Sequence, residues 1–238
     1  MIIAMWSGPR NLSTAMMRSF SAREDCAVLD EPFFAPYLAV SGKAHPGRKE
    51  TLAAHETDPE KVAQLCAAKT PEAYSFQKHM PHHMLSGFPT AWMKDAKHFF
   101  LLRHPCRVIA SYAKGRAEFS FDDLGFAAQR KLWEALGRPP VIESATILQN
   151  PEAALRVLCG AIEIPFDPAM LSWSSGRREE DGAWAPWWYE SVWSSTGFGP
   201  PPSSKLPSLQ LKHLPLLQGC LSHYDILAAQ KLTIHASS

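Results

Sequence analysis

Residues 2–14 read IIAMWSGPRNLST, and this stretch decides the fold. Residues 2–6 are a short apolar run, which predicts a buried strand that ends at the turn around Gly8 and Pro9. A helix is predicted next, because residues 12, 15, 16, 19 and 20 (Leu, Ala, Met, Ser and Phe) recur at i, i+3, i+4, i+7 and i+8. The stretch therefore predicts a strand, a tight loop and a helix in direct succession.

The same alternation continues along the chain. Further strands are predicted at 27–29, 73–77, 98–102 and 140–143, and helices at 60–68, 105–115, 121–136, 151–161, 209–217 and 221–232. Strands that alternate with helices indicate an α/β fold with a three-layer arrangement, in which helices flank a mainly parallel central sheet. Residues 41–58 carry no apolar period and are predicted to form a long surface loop.

Composition excludes several classes of protein. With 46% hydrophobic and 20% charged residues, the 238-residue chain can bury a full core, so a disordered or fibrous protein is excluded. Its net charge of +1 argues against a broad surface for nucleic acid or an anionic membrane, but it permits a small anion site. No polar linker divides the chain, which favours one domain over residues 1–238.

The cysteines and the apolar runs indicate the cellular compartment of the protein. The five cysteines are dispersed and include no C-x-x-C pair, which suits free thiols in a reducing cytosol and argues against a zinc site. The first apolar run is only six residues long, far below the ~20 residues of a membrane-spanning helix. We therefore expect a cytoplasmic protein with no membrane partner and no metal.

The loop after the first predicted strand is a candidate anion site. In an open parallel sheet, ligands bind at the carboxyl ends of the strands. The first N–H groups of the following helix lack intrahelical partners, Arg10 adds a fixed positive fork, and Ser13 and Thr14 add hydroxyls. The alternative is an ordinary helix start beside an incidental arginine. The loop is not a Walker A motif, because no lysine precedes Ser13.

A second candidate anion site follows the strand at 98–102. Arg103 comes just after this strand, and Ser111 lies two turns into the next predicted helix. On that helix Arg107, Ser111 and Lys114 share one face, so a strand-end arginine and a helix serine could hold a second phosphate. The alternative is a solvated polar helix face.

Together the two sites resemble the cytosolic and bacterial sulfotransferases that use 3′-phosphoadenosine 5′-phosphosulfate (PAPS). That family binds the 5′-phosphosulfate with a loop of the pattern P-[KR]-x-G-[ST]-T. It binds the 3′-phosphate with R-x-P-x-x-x-x-x-S, which Arg103 and Ser111 match here. The resemblance implies that the 5′ loop consists of Pro9, Arg10, Asn11, Leu12, Ser13 and Thr14.

The resemblance also implies the architecture of a P-loop-like sulfotransferase. It covers residues 1 to about 115, the half that would bind the cofactor, whereas residues 116–238 form a helical half rich in tryptophan. Leu12 stands where the family commonly has glycine. Its Cβ would limit how closely the backbone approaches a phosphate, although less so if Leu12 has helical dihedrals.

The catalytic roles follow from the same resemblance. Arg10 would stabilise the charge that develops on the leaving phosphate. Two residues are candidates for the general base: His79, which corresponds to the family's catalytic histidine, and Glu31, which resembles the glutamate base of some bacterial relatives. Lys78 is a looser match to the family's lysine, since it is displaced by one position. The sequence leaves the choice of base open.

The leading functional prediction is a PAPS-dependent sulfotransferase that releases 3′-phosphoadenosine 5′-phosphate (PAP). Its acceptor would be a hydroxyl or amine of a small molecule. The alternatives are a P-loop-like small-molecule kinase and a nucleotide-binding protein without catalysis. The acceptor's identity and the oligomeric state, including a homo-oligomer, are left open.

Overall fold

The computed structural model describes residues 1–116 and 118–234. Its strands are β1 (Ile2–Ser7), β2 (Cys26–Asp30), β3 (Tyr74–His79), β4 (Ala96–Leu102) and β5 (Val141–Glu143). Its α-helices are α1 (Ser13–Ser21), α2 (Phe34–Ser41), α3 (Arg48–Ala54), α4 (Pro59–Ala67), α5 (Pro105–Gly115), α6 (Phe126–Ala135), α7 (Ser144–Gln149), α8 (Pro151–Ala161), α9 (Ala185–Trp188), α10 (Glu190–Trp193) and α11 (Leu214–Ala228).

The five strands form a parallel sheet flanked by helices, with the order β2-β3-β1-β4-β5. The predicted α/β fold class is therefore confirmed. Every strand predicted from the sequence is present, with bounds that differ by a few residues. Apolar runs bounded by turn residues are a dependable sign of buried parallel strands, because both faces of such a sheet are covered.

Two compact units make up the chain. The first unit consists of Met1–Met5, Thr14–Lys97 and Ala169–Phe198, and the second of Trp6–Ser13, His98–Pro168 and the segment from Gly199 onwards. The single domain expected over residues 1–238 stays a prediction.

In the first unit, β2 pairs with β3 in a register that sets up the chemistry below. Cys26 lies opposite Tyr74 at one end, and Asp30 lies opposite Lys78 at the other. Phe20 of α1 stacks on Phe76 of β3 at a centroid distance of 4.1 Å, which anchors the helix on the strand. In the second unit, β4 pairs with β5 from Phe100 and Val141 to Leu102 and Glu143.

The loop predicted for residues 41–58 contains the short helix α3, so that prediction is wrong in part. Gly47 precedes α3 with φ +75, and the buried hydroxyl of Thr51 donates a hydrogen bond to the Gly47 carbonyl at 2.8 Å. A helix of seven residues held by such a local bond shows no apolar period in the sequence.

Two other helix boundaries differ from the sequence prediction. The helix expected from residue 121 begins at Phe126, after Gly125 in the left-handed conformation. The two helices expected at 209–217 and 221–232 are one continuous helix, α11. Gly219, which lies in the middle of α11, packs close to Phe121, where a Cβ would come within 3.1 Å of the ring. This glycine therefore permits a close contact and does not end the helix.

In the described part of the chain, no helix is long and apolar enough to cross a lipid bilayer. No group of three or more His, Cys, Asp or Glu side chains in the same part could hold a metal ion.

Candidate functional site

The loop between β1 and α1 has an unusual backbone. Both Arg10 and Leu12 have left-handed dihedrals, with φ +62 and φ +76. This conformation costs a residue with a Cβ about 1–2 kcal/mol, so it persists only where the surroundings impose it. Leu12 thus adopts the conformation that suits the glycine of the family's loop, and it does not have the right-handed helical dihedrals that would have made its Cβ harmless.

Buried amides hold this loop in the second unit. Asn11 is almost fully buried and donates from Nδ2 to the Leu101 carbonyl at the end of β4, at 3.2 Å. Gln129 of α6 donates to the same carbonyl at 2.9 Å. The Oδ1 atom of Asn11 is buried and accepts no hydrogen bond from the described residues. The Asn11 amide therefore fixes the loop while it keeps one acceptor unused.

The other predicted residues of the loop lie at its two ends. Pro9 is half-buried and directly precedes Arg10. Ser13 is buried and is the first residue of α1, and Thr14 is half-buried and is the second. The N–H groups of this first helical turn have no intrahelical acceptor, which is the arrangement that binds phosphates at helix starts.

Arg10, Arg103, Arg107 and Ser111 form what we call the arginine cluster of the second unit. Arg10 donates from Nε to the Ser111 hydroxyl at 3.0 Å, and Arg103 donates from Nη1 to the Arg10 carbonyl at 2.6 Å. Arg107 donates to the Ser203 carbonyl. Pro105 begins α5 at its first turn, and His104 caps it by accepting from the Cys106 N–H. The two motifs that are 93 residues apart in the sequence thus meet through their arginines.

The charged side chains of the arginine cluster are all cations. Within residues 1–116 and 118–234, neither Arg10 nor Arg103 forms an ion pair with a carboxylate. Burial lowers the pKa of the Arg103 guanidinium, and the neighbouring charges of Arg10 and Arg107 lower it further. Burial also lowers the pKa of Arg10. Like charges gathered without a counter-charge are unfavourable in isolation, which makes the cluster a candidate anion site.

A second cluster lies at the ends of β2 and β3 in the first unit. Lys78 is fully buried and donates from Nζ to Asp30 at 2.9 Å and to Glu31 at 2.6 Å. Burial alone would lower the pKa of Lys78, but Asp30 and Glu31 outweigh it and raise this pKa well above its ordinary value. Lys78 is therefore a charged residue that binds two carboxylates, and we call these three residues with Tyr189 the buried ionic cluster.

Tyr189 completes the buried ionic cluster. Its hydroxyl accepts hydrogen bonds from Lys78 Nζ and from Trp184 Nε1, and donates one to Asp30 Oδ2 at 2.7 Å. The segment that carries Tyr189 is anchored by Arg18 of α1, which donates to both carboxylate oxygens of Asp181 at 2.7 Å. Every polar group of the Tyr189 side chain is therefore paired.

Glu31 has the strained backbone expected at a functional position. Its φ of +42 falls in the left-handed region, and its N–H donates to the Lys78 carbonyl at 2.9 Å. Burial raises the pKa of the Glu31 carboxyl, Lys78 opposes this shift, and Asp30 adds to it. Its Oε1 atom accepts from Lys78, and Oε2 lies 3.8 Å from His83 Nδ1. Glu31 therefore combines a raised pKa with one oxygen that is not bound to Lys78.

The other candidate base, His79, is packed differently. It is almost fully buried, its ring lies 4.8 Å from that of Trp92, and its Nε2 is 3.1 Å from the Gln77 side-chain oxygen. Lys78 and His79 are neighbours on β3, so their side chains point to opposite faces of the sheet. The structure thus brings Lys78 and Glu31 together, and it does not bring His79 into the buried ionic cluster.

Sequence reasoning missed three residues of this region. Asp30 directly precedes Glu31 at a strand end, which is a signal that could have been used. Tyr189 lies within the tryptophan-rich segment, more than 150 residues after Asp30, and no local pattern marks it. His83 comes four residues after His79 and lies beside Glu31 only because a short turn of 3-10 helix, Pro81–His83, brings it back.

The chain is similar to two curated plant proteins. Branched-chain-amino-acid aminotransferase-like protein 2 of Arabidopsis thaliana is 42% identical over 232 residues, which are 95% of this chain and 41% of that protein. Branched-chain-amino-acid aminotransferase-like protein 1 of the same plant is 40% identical over 243 residues, which are 100% of this chain and 43% of that protein. The chain spans about two-fifths of the length of these curated relatives, so their names describe proteins of which it matches only a part.

Solved structures share the fold. The sulfotransferase domain of the Synechococcus PCC 7002 olefin synthase matches with a TM-score of 0.53 at 18% identity, over 92% of this chain and 94% of that one. The sulfotransferase domain from the curacin biosynthetic pathway matches with a TM-score of 0.54 at 14% identity, over 98% of both chains. A family model described as a sulfotransferase domain matches residues 1–231. The chain therefore belongs to the sulfotransferase domain family.

Proposed function

We propose that this chain is a PAPS-dependent sulfotransferase that acts on a hydroxyl or amine of a small molecule. The observation that carries the proposal is the arginine cluster, in which Arg10 and Arg103 come together without a carboxylate. A dianionic phosphate is the ligand that such a guanidinium pair recognises best. In the family's terms, Arg103 and Ser111 would hold the 3′-phosphate of the cofactor.

The loop at residues 9–14 would hold the 5′ end of the cofactor. Its left-handed residues and the N–H groups at the start of α1, which a helix leaves without intrahelical acceptors, form the kind of backbone concavity that binds phosphates. When bound, PAPS supplies the sulfuryl group and leaves as PAP. Arg10 would stabilise the charge that grows on the departing phosphate without giving up a proton, since a guanidinium is not deprotonated in proteins.

We assign the general base to Glu31 in preference to His79. A carboxyl whose pKa is raised by burial takes up a proton at neutral pH more readily than an exposed one. Lys78 then acts on the reaction through Glu31, because its ammonium binds Oε1 and fixes the direction of the carboxylate. His79 is bonded to Gln77 and packed on Trp92, which suits a structural role.

The proposal also covers partners and location. It gives the chain a small-molecule acceptor and a cytoplasmic location, without a nucleic acid or membrane partner, and leaves homo-oligomerisation open.

A thermal unfolding assay separates the three candidate functions. The sulfotransferase proposal expects PAP to raise the melting temperature, with a stabilisation of about 2.7 kcal/mol at a hundred times its Kd, whereas AMP and ATP with magnesium do little. Arg103→Met and Ser111→Ala should remove the effect, and Glu31→Gln should retain it. Stabilisation by ATP with magnesium alone would instead support the kinase.

Binding alone does not distinguish a sulfotransferase from a non-catalytic nucleotide-binding protein. An assay that measures the release of PAP from PAPS by chromatography makes this distinction. A protein that binds PAP tightly but releases none from PAPS, either to water or to a broad set of alcohols and amines, would refute catalysis and leave the binding proposal intact.

A further inference from the structure

His83 has a buried ring nitrogen with no partner. Its side chain is 5% exposed, and no described residue forms a hydrogen bond with its Nδ1 atom. A buried polar atom without a hydrogen bond costs about 1–3 kcal/mol, so a site of this kind calls for an explanation.

The ring of His83 stacks on two aromatic rings. It stacks on Phe34 at 4.7 Å and on Tyr37 at 4.8 Å, with interplanar angles of 19° and 25°. The backbone N–H of His83 donates to the Met80 carbonyl at 3.0 Å and closes the turn. Packing therefore fixes the plane of the ring, and Nδ1 lies on the side of the ring that faces Glu31.

Nδ1 of His83 lies 3.8 Å from Glu31 Oε2. This distance is too long for a hydrogen bond, but an oxygen atom can lie about 2.8 Å from both atoms at once. The other oxygen of Glu31 is bound to Lys78, so Oε2 is the one that is available. A small polar group that forms a hydrogen bond with each atom would bridge them.

We propose that Glu31 Oε2 and His83 Nδ1 together bind the nucleophilic hydroxyl of an uncharged alcohol, which makes His83 a catalytic residue of the acceptor site. This inference rests on the proposed sulfotransferase function and names the class of its acceptor. The hydroxyl donates its proton to Glu31 and accepts a hydrogen bond from Nδ1–H of the neutral imidazole. Its remaining lone pair is free to attack sulfur.

The transfer forms one bond to sulfur and breaks another. The hydroxyl oxygen forms an O–S bond with that lone pair, and its proton passes to Glu31 Oε2. The bond between sulfur and the 5′-phosphate oxygen breaks, and its electron pair stays on the phosphate. No oxidant, reductant or metal takes part.

Charge favours an uncharged alcohol over an anion or an alkylamine. With Glu31 ionised, two carboxylates face one ammonium, so the buried ionic cluster disfavours an anionic group beside it. An alkylamine is an ammonium ion at neutral pH and must lose two protons in the reaction, whereas Glu31 accepts one. His83 does not accept the second, because burial and then its neighbours His82 and His45 lower its pKa well below the ordinary value.

The test uses water, the smallest hydroxyl acceptor. Slow hydrolysis of PAPS is followed as release of PAP by the full chain and its variants, each saturated with PAPS. We expect Glu31→Gln to lower this rate roughly 10²- to 10⁴-fold. His83→Phe keeps the stacking but removes the nitrogen, and should lower the rate at least ~10-fold, since positioning of the nucleophile is lost.

The matched variant is His83→Asn, whose amide places a polar atom close to the position of Nδ1. It should restore the rate to within about threefold of the wild type, while His82→Asn, at the neighbouring histidine, leaves it unchanged. Affinity for PAP should be the same in all of these proteins. A rate for His83→Phe equal to the wild type, or one for His83→Asn as low as that for His83→Phe, would overturn the inference.

A second measurement decides the matter if hydrolysis is too slow to follow. Side-chain ¹⁵N spectra of the PAP-saturated protein should show a shift of the His83 Nδ1 resonance when 1-butanol is added, and Glu31→Gln should reduce that shift. An unmoved resonance would contradict the inference. Failure of the wild type to bind PAP would instead remove the proposed function itself.

Discussion

The arginine cluster and the buried ionic cluster are built on opposite principles. In the arginine cluster, half-buried cations lie together, and no carboxylate of the described residues forms an ion pair with Arg10 or Arg103. In the buried ionic cluster, Lys78 is enclosed by two carboxylates and a tyrosine, and each of its bonds lies within the first unit. One cluster lacks its counter-charge and the other contains it.

This difference indicates what each cluster does. Cations without anions gain their compensation from a ligand, so we expect the arginine cluster to contribute to binding and little to the stability of the unliganded protein. A compensated buried pair is costly to break, because removal of one partner leaves the other charged and desolvated. The buried ionic cluster should therefore matter for stability and for the pKa of Glu31.

The largest effect is expected for Lys78→Met. This change leaves Asp30 and Glu31 buried without their counter-charge and should lower the free energy of unfolding by about 3–5 kcal/mol. Urea denaturation at neutral pH measures it. Lys61→Met is the control, because Lys61 pairs with Glu56 at 3.3 Å on the surface, where a pair contributes less than ~1 kcal/mol. Similar losses for the two variants would show that the buried cluster is no more important than a surface pair.

Arg103→Met should produce the reverse pattern. The free energy of unfolding of the unliganded protein is expected to stay within ~0.5 kcal/mol or to rise, since a repulsive neighbour of Arg10 disappears. Affinity for PAP, measured by calorimetry, should fall about 100-fold, or roughly 2.7 kcal/mol. Arg130→Met is the control, because this arginine pairs with Glu134 on the exposed side of α6. A large loss of stability with unchanged PAP affinity would mean that Arg103 is structural.

The difference in free energy of unfolding between Glu31→Gln and the wild type should depend on pH. Burial raises the pKa of Glu31 in the folded state, so folding favours its protonated form. That contribution is fully present below the ordinary pKa of about 4.3 and is lost as pH rises through the folded value. Glutamine does not ionise, so the variant does not lose stability in this way. Stability of Glu31→Gln relative to wild type should therefore improve from about pH 4 to pH 8, by ~1.4 kcal/mol for each unit of pKa shift.

Glu56→Gln provides a control of opposite sign for that titration. The Asp58 backbone N–H lowers the pKa of exposed Glu56, and its ionised form is the one that folding favours. This variant should become slightly less stable relative to wild type as pH rises through the ordinary pKa of glutamate, about 4.3, and should change no further at higher pH. Urea denaturation at four or five pH values tests both, and parallel curves for the two variants would contradict the assignment of the Glu31 shift.

The sequence predicted the parts of these clusters that depend on strand ends. Arg10, Arg103 and Glu31 each follow an apolar run, and residues that follow parallel strands gather at one edge of a sheet. Tyr189 and His83 were not predictable in this way, because their positions depend on an irregular segment and on a 3-10 turn. The pairing of Lys78 with two carboxylates depends on the β2–β3 register, which a single sequence does not specify.

The smallest effect is expected at Leu12, and it tests how the loop of the arginine cluster is held. With φ +76, Leu12 is strained by about 1–2 kcal/mol, and Leu12→Gly removes that strain but adds about 0.4–1 kcal/mol of unfolded-state entropy. The free energy of unfolding should therefore rise by up to ~1 kcal/mol, and PAP affinity should rise with it because no Cβ limits the approach of a phosphate. Leu12→Ala separates backbone from side chain, since it keeps the Cβ and its strain while it removes the rest of the leucine. If the alanine variant gained as much PAP affinity as the glycine variant, the bulk of the side chain, and not the left-handed backbone, would be what restricts the loop.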